Sequence, residues 1–299
     1  MINFTDFNIL ERDKVDAIFK VANFRTSDMS FANLYAWLGR FNSQMAVIED
    51  TFFLRSRCSE SDSCYMFPVG KMPLKGSIKM VMEDAKERNL NFKIIGATRK
   101  MFDLLNSEIP YFFEYQSDRD ASDYIYLSEK LISLSGKKLQ AKRNHINKFK
   151  SENPTWKYTK ITEKTEIDNC FTMLKEWENA EKERLTKSQW YEYQAVRKML
   201  ENFEALKLTV GAIYVNDKIV AFSIGEALSE DCFVVHCEKA FSDINGAYTI
   251  MNQEFVKNEA INFKYINREE DLGIENLRKA KLSYQPEILL EKGKIVCSD

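Results

Sequence analysis

Two short charged clusters hold most of the side chains in this sequence that could do chemistry. CFVVHCEK (232–239) ends an apolar run on Glu238 and Lys239, and FKYINREED (263–271) ends another on Asn267, Arg268, Glu269, Glu270 and Asp271. A carboxylate in such a position can act as a general base, and a guanidinium beside it can orient it or hold an anion, because both make directional, charge-assisted hydrogen bonds. A third cluster, GKKLQAKRNHINKFK (136–150), contains Lys137, Lys138, Lys142, Arg143, Lys148 and Lys150 and no acid. That composition suits an anion-binding face for phosphates of RNA, a nucleotide cofactor or lipid. Within it, Arg143 and Asn144 have the best-defined hydrogen-bonding geometry and are the candidates for ligand contact. Each cluster also has a plainer reading. The acids could form a solvated loop tied up in salt bridges, and most of the lysines a solvated helix face.

The remaining candidates are single residues. Gly246 precedes a helical segment, where it would permit close backbone approach and leave free N–H groups for a phosphate. Tyr284 follows the last helix and could donate a proton to a leaving group, or could simply pack. His236 lies within an apolar alternation, which favours a satisfied core histidine over a catalytic base, and Cys237 has no evident base beside it and reads as core.

The rest of the composition excludes several classes. The chain has 299 residues, 44% of them hydrophobic and 13% aromatic, ample for sizeable cores. Lys+Arg 43 against Asp+Glu 45 leaves a net charge of -2, so there is no global basic field, and any charge signal is local. The six cysteines form no CxxC pair and only two histidines, His145 and His236, exist to complete a metal site, so no metal is expected and the thiols read as reduced. The N-terminus, MINFTDFNILERDK, carries acids and no apolar core segment, and no run of about 18 apolar residues occurs anywhere. A cytoplasmic protein with no transmembrane segment is expected.

The order of elements decides whether the clusters meet. In the second half, PTWKYTKI (154–161) alternates like a strand, and Ile167, Cys170, Phe171, Leu174 and Trp177 recur at helical spacing. A second helix opens at TKSQ (186–189) with capping-box spacing. Strands 206–215, 218–228 and 232–238 follow, separated only by short polar breaks that permit hairpins and no crossovers. A helix after Gly246 then leads to FKYIN (263–267), and a strand, helix and strand in succession imply a parallel crossover. CFVVHCE and FKYIN are therefore expected side by side, with their carboxyl ends, and both charged clusters, at one edge of the sheet, where open α/β sheets bind ligands. A helix at 274–282 and a strand-like YQPEILL complete the order β-α-α-β-β-β-α-β-α-β. The first half repeats it, with strands near 44–48, 52–57, 64–69, 92–97 and 111–116 and helices near 11–22, 28–40, 76–89 and 98–106. The division expected is 1–130 and 131–299, two copies of a mixed α/β fold, with no charged cluster at the first copy's strand ends.

Four blocks, LSGKKLQAKRNHINKF, HCEKAFSDINGAYTIMNQEF, YINREEDLGIENLRKAKLSY and YQPE, resemble the signature segments of soluble proteins related to the catalytic C-terminal domain of bacterial phosphatidylglycerol lysyltransferases. The resemblance runs over most of the chain, is densest after residue 131, and implies tandem GNAT-like acyltransferase domains. It implies a transferase that passes an acyl or aminoacyl group from acyl-coenzyme A or aminoacyl-tRNA, used as co-substrate with no tightly bound cofactor, to an amine or hydroxyl. The acceptor would be a small molecule, a lipid head group or a peptide. In that scheme Glu238 or Asp271 is the general base, Arg268 orients the acid, and Arg143 and Lys281 hold donor phosphate. Asn267 and Tyr284 position the substrate, and Lys239, Asn144, Gly246 and Glu269 complete the binding set. The competing readings are a non-catalytic ligand- or RNA-binding protein on the same fold and a coenzyme A-dependent N-acetyltransferase. KAFSDINGAY has one glycine where the acetyl-coenzyme A form of the fold has a glycine-rich turn.

Overall fold

The computed structural model describes residues 1–59, 62–181 and 186–298, and the chain divides into two units. The first unit comprises Met1–Asp123, Glu270–Glu275 and Leu289–Asp299, and the second comprises Tyr124–Glu269 and Asn276–Ile288. The boundary after residue 130 expected from the sequence thus falls instead after Asp123, and the end of the chain returns to the first unit. Both units have the mixed α/β element order anticipated for tandem GNAT-like domains. Among the described residues no helix is long and apolar enough to cross a membrane.

In the first unit, β1 (Thr5–Asp6) is followed by α1 (Arg12–Ala22), α2 (Phe31–Ala36) and α3 (Leu38–Phe41), then β2 (Gln44–Ile48), β3 (Thr51–Arg57), β4 (Ser63–Met66) and β5 (Val69–Gly70). Next come α4 (Leu74–Glu87), β6 (Lys93–Thr98), α5 (Arg99–Glu108) and β7 (Phe113–Leu127). Strands β2 and β3 form a tight hairpin whose turn residues, Glu49 and Asp50, both have positive φ (49° and 51°), the twist that a two-residue hairpin demands. Strand β4 pairs in parallel with β6, as a strand, helix and strand require. The core packs Phe19, Phe31, Phe52, Phe53, Ile78, Val81, Ile94 and Leu105, all buried, against this sheet. The strand expected near 111–116 is the start of a longer one, β7, which runs on through SDYIYL to Leu127.

In the second unit, α6 (Ser128–Ser133) and α7 (Gln140–Glu152) precede β8 (Lys157–Ile161), α8 (Lys164–Glu181), α9 (Lys187–Glu201), β9 (Thr209–Val215), β10 (Lys218–Ala227) and β11 (Cys232–Ala240). Then follow α10 (Ala247–Glu259), β12 (Tyr265–Asn267) and α11 (Glu275–Leu282). The meander β8-β9-β10-β11 is antiparallel throughout, and the β9–β10 turn again uses two left-handed residues, Asn216 and Asp217. Thr186 caps α9, and Gln189 reaches back to its N–H at 2.9 Å, the capping box that TKSQ announces. Strand β12 is parallel to β11, in the register Cys232↔Tyr265 to Val234↔Asn267, and its other edge pairs with Ile125–Leu127 of β7. Helix α10 is buried along most of its length and supplies Ile250, Met251, Phe255 and Val256 to a core shared with Tyr124, Tyr126, Ile146, Phe149 and Ile266.

The closing strand β13 (Ile288–Cys297) explains the division. Apart from Ile288 it belongs to the first unit, where it pairs antiparallel with β6 and seals the sheet that the first half alone leaves open. It also carries Lys292, which is 2% exposed. The Lys292 ammonium contacts Asp28 and Asp123 at 2.8 Å each and Glu270 at 3.4 Å, and Asp123 in turn accepts from the Ser27 N–H at 2.8 Å. Burial opposes a charge here, yet the three carboxylates raise the lysine's pKa well above its ordinary value. A charged cluster therefore does exist in the first unit, where the sequence suggested none. It is assembled from four distant segments, beside β6, whose Gly96 has φ +67° and leaves the Asp28 carboxylate room that a Cβ would crowd at 3.2 Å.

Replacing Lys292 takes a cation away from the buried Asp123 carboxylate and from the partly exposed Asp28 and Glu270. Lys292→Met is expected to destabilise the protein by about 3–5 kcal/mol, measured as a lowered urea midpoint.

Candidate functional site

The site forms because the parallel ladder between β11 and β12 is short. It ends at Val234 and Asn267, while β11 runs on to Ala240, so the two carboxyl ends separate and leave room for the side chains that follow. A bulge adds to the divergence: Ile224 faces Cys237 and Gly225 faces Val235, so His236 is the extra residue. The side chain of Asn267, a fully buried residue, turns the chain at this point by accepting the Glu269 N–H at 2.7 Å, and Glu269 adopts a left-handed φ of 56°. This turn holds Arg268 over the end of β11.

There Arg268 meets Glu238, as the convergence of the two strand ends requires. Its Nε donates to Glu238 Oε2 at 3.0 Å and its Nη2 bonds the same oxygen, while Asn252 on α10 donates to Oε1 at 2.9 Å. Both oxygens of Glu238 are thus engaged. The guanidinium also lies over two aromatic rings, 4.7 Å from the Tyr284 centroid and 5.6 Å from that of Tyr126. Burial works against its charge, but Glu238 outweighs burial and its pKa is raised. One donor is left over: Nη1 is buried and has no hydrogen-bond partner among the described residues. A buried guanidinium nitrogen without a protein acceptor is a donor available to a ligand.

The second cation at the site is Lys142, whose Nζ lies 4.0 Å from the Tyr284 centroid. Burial first, and then the Arg268 charge, bring its pKa down to about 8. On this helix the better-defined hydrogen-bonding geometry belongs to Arg143, the candidate for ligand contact. Arg143 is turned to the backbone, bonding the carbonyls of Leu134 and Gly136 and the Gln140 side chain, so it secures the segment leading into α7. Asn144 is exposed and accepts from Gln140 at 2.9 Å. A signal for Lys142 was present: Leu139, Lys142, Ile146 and Phe149 follow helical spacing, and the other three are buried, which puts Lys142 on the inward face.

The other candidates have structural partners. Lys281 donates to the Arg268 carbonyl at 2.6 Å and lies over Tyr124, while the Tyr126 hydroxyl donates to the Lys281 carbonyl at 2.8 Å. Lys239 is buried against Glu192 (2.7 Å) and over Trp177 (4.0 Å), and Glu192 keeps its pKa raised against the opposing effect of burial. Gly246, with φ +82°, begins α10 so close to α7 that a Cβ would lie 2.4 Å from the His145 carbonyl oxygen, so helix packing alone accounts for the glycine. Tyr284 is buried, which raises its phenol pKa, and it packs edge to face with Tyr126. Asp271 belongs to the first unit, where it pairs with Arg119 at 3.3 Å and accepts from the Gly273 N–H at 2.9 Å. Glu269 is bonded to His236. A groove of about 310 Å³ between α8 and the end of α9, bounded by Phe171, Leu200 and Phe203, includes none of the candidate residues.

The sequence pattern of the family described as phosphatidylglycerol lysyltransferase, C-terminal, matches residues 19–292. A solved structure of a conserved protein of unknown function from Bacteroides thetaiotaomicron VPI-5482 is 41% identical, with all of both chains covered and a TM-score of 0.94. The solved structure of L-PGS from Bacillus licheniformis is 15% identical at a TM-score of 0.63, covering 95% of this chain and 90% of that one, a likeness of fold. An uncharacterized protein of Mycoplasmoides gallisepticum is 27% identical over 182 residues, 59% of this chain and 57% of that protein. The chain thus spans less than two thirds of that relative's length.

His236 is the site's internal anchor. Its imidazole, wholly inaccessible to solvent, bonds Glu269 at 2.8 Å through Nδ1 and Glu226 at 3.2 Å through Nε2. Burial opposes its charge, but the two carboxylates raise its pKa to about 9. Because the folded value lies above the ordinary 6.5, this contribution to stability is fully present below pH 6.5 and is lost as the pH rises through about 9. The stability gap between wild type and His236→Gln should therefore be widest at pH 6 and shrink by pH 9.5, measured by urea unfolding.

Proposed function

Because the chain belongs to the family of phosphatidylglycerol lysyltransferase C-terminal domains, we propose that it transfers an aminoacyl group from aminoacyl-tRNA to an amine or hydroxyl acceptor at the Arg268 site. The observation that carries this reading is the buried, unpartnered Nη1 of Arg268. When an acceptor attacks the ester carbonyl of a charged tRNA, negative charge develops on the carbonyl oxygen. A guanidinium N–H already desolvated and already oriented stabilises that charge with little reorganisation. Glu238, Asn252 and the rings of Tyr126 and Tyr284 act through Arg268, fixing its plane. The Lys281 bond to the Arg268 carbonyl fixes its backbone.

Two features favour an aminoacyl ester over acyl-coenzyme A as donor. The N-terminus of α10, where a coenzyme's pyrophosphate would sit in the related acetyltransferase reading, packs against the His145 carbonyl through Gly246. The exposed Lys137 and Lys138, before α7, add positive charge of the kind that tracks an RNA backbone. The full engagement of Glu238 weighs against a purely general-base role for that carboxylate. What favours a transferase over a non-catalytic binding protein, whose charges would satisfy one another completely, is the Nη1 of Arg268, which has no acceptor among the described residues.

Arg268→Lys keeps a positive charge and removes the planar fork. With aminoacyl-tRNA labelled in the amino acid, and acyl-coenzyme A as a parallel donor, the variant should lower transfer by about 10²–10³-fold with an unchanged circular dichroism spectrum. Wild-type rates in the variant would remove Arg268 from the mechanism.

A further inference from the structure

The second unit contains a lysine whose pKa is brought down by burial and by a neighbouring cation. Lys239 and, in the first unit, Lys292 are both deeply buried, and each is paired with carboxylates that raise its pKa. Lys142 is half-buried, and among the described residues its ammonium has neither an ion pair nor a hydrogen bond. It has instead a ring 4.0 Å away and a second cation on the same ring, Arg268, at 4.7 Å. The ring it lies over is shared with Arg268, whose partner is Glu238, and Tyr126 packs edge to face on that ring. Glu238 is committed to Arg268 and Asn252, so that carboxylate is already engaged. On its own helix, Arg143 is bonded to backbone carbonyls on the other side.

We propose that Lys142 is the general base of this site, accepting the proton of the acceptor amine or hydroxyl as that acceptor attacks the donor ester. The assignment rests on the transferase reading above. The acceptor's lone pair forms the new bond to the carbonyl carbon, its proton passes to the Lys142 nitrogen, and the developing oxyanion is held on Arg268 Nη1. Collapse of the tetrahedral intermediate breaks the ester C–O bond, and the departing 3′-hydroxyl oxygen of the tRNA takes the proton back from Lys142. The lysine ends the cycle as it began, and no other reactant is needed. Arg268 thus has two effects. It stabilises the charge of the intermediate, and its repulsion adds to burial, the larger cause, in lowering the pKa of the neighbouring lysine, the condition that a base requires.

Two measurements test this on the full chain. Competitive labelling with acetic anhydride from pH 6 to 11, read by peptide mass mapping, should show Lys142 titrating at about 8, well below the ordinary lysine value of about 10.4. In the tRNA transfer assay, the wild-type rate should rise about tenfold between pH 7 and pH 9 as the lysine loses its proton. Lys142→Arg, charged at every pH, and Lys142→Gln should each lower transfer by about 10²-fold or more and abolish that rise, without changing the melting temperature by more than a few degrees. Transfer by Lys142→Arg at the wild-type rate and with the wild-type pH profile would overturn the assignment and leave the transferase reading standing, as would titration of Lys142 at the ordinary lysine value. Absence of transfer by the wild type from either donor would overturn both.

Discussion

The ladder between β11 and β12 is parallel and lasts from Cys232–Val234 against Tyr265–Asn267, and the site depends on its ending there. Had the two strands stayed paired, residues 235–240 and 268–271 would have faced each other as backbone, and Glu238 and Arg268 could not have met through their side chains. Parallel strands deliver their carboxyl ends to the same edge, so divergence at that edge opens a space lined by whatever follows each strand. The bulge at His236 and the side-chain turn at Asn267 are the local devices that open it. His236, bonded to Glu226 and to Glu269, then ties the two diverging strands together behind the space.

Charge is handled differently in the two units. In the first, Lys292 and its carboxylates form a closed group in which the cation is surrounded by acids, the arrangement expected of a buried structural ion cluster. In the second, Arg268 is matched by Glu238 on two of its nitrogens and left unmatched on the third, and Lys142 has a ring and a like charge for neighbours. Incomplete satisfaction is costly in an empty site and is retained where a ligand supplies the missing partner. The contrast supports the proposal that the reaction centre lies in the second unit.

Much of this was legible in the residues. The alternation of 232–238, the helical run after Gly246 and the short strand before Arg268 were enough to place Glu238 and Arg268 at one sheet edge, because strand direction and crossover handedness follow from local periodicity. The same reasoning grouped Glu270 and Asp271 with them and went too far. The chain leaves the second unit between Glu269 and Glu270, and those two acids find their partners, Lys292 and Arg119, in the first. Arg143 was preferred to Lys142 for its hydrogen-bonding geometry, when helical phase against Leu139, Ile146 and Phe149 was the better guide to which side chain faces inward.

By itself, then, the sequence determined the elements, their order, the parallel neighbours and the family, since each is written in periodicity, capping residues and contiguous blocks. Tertiary structure alone decided which charges are satisfied. Glu238 is thirty residues from Arg268, Lys142 is further still from Tyr284, and Lys292 closes a cluster begun at Asp28. The state of a buried charge is set by the groups within a few ångströms of it in space, and no local pattern along the chain records those distances.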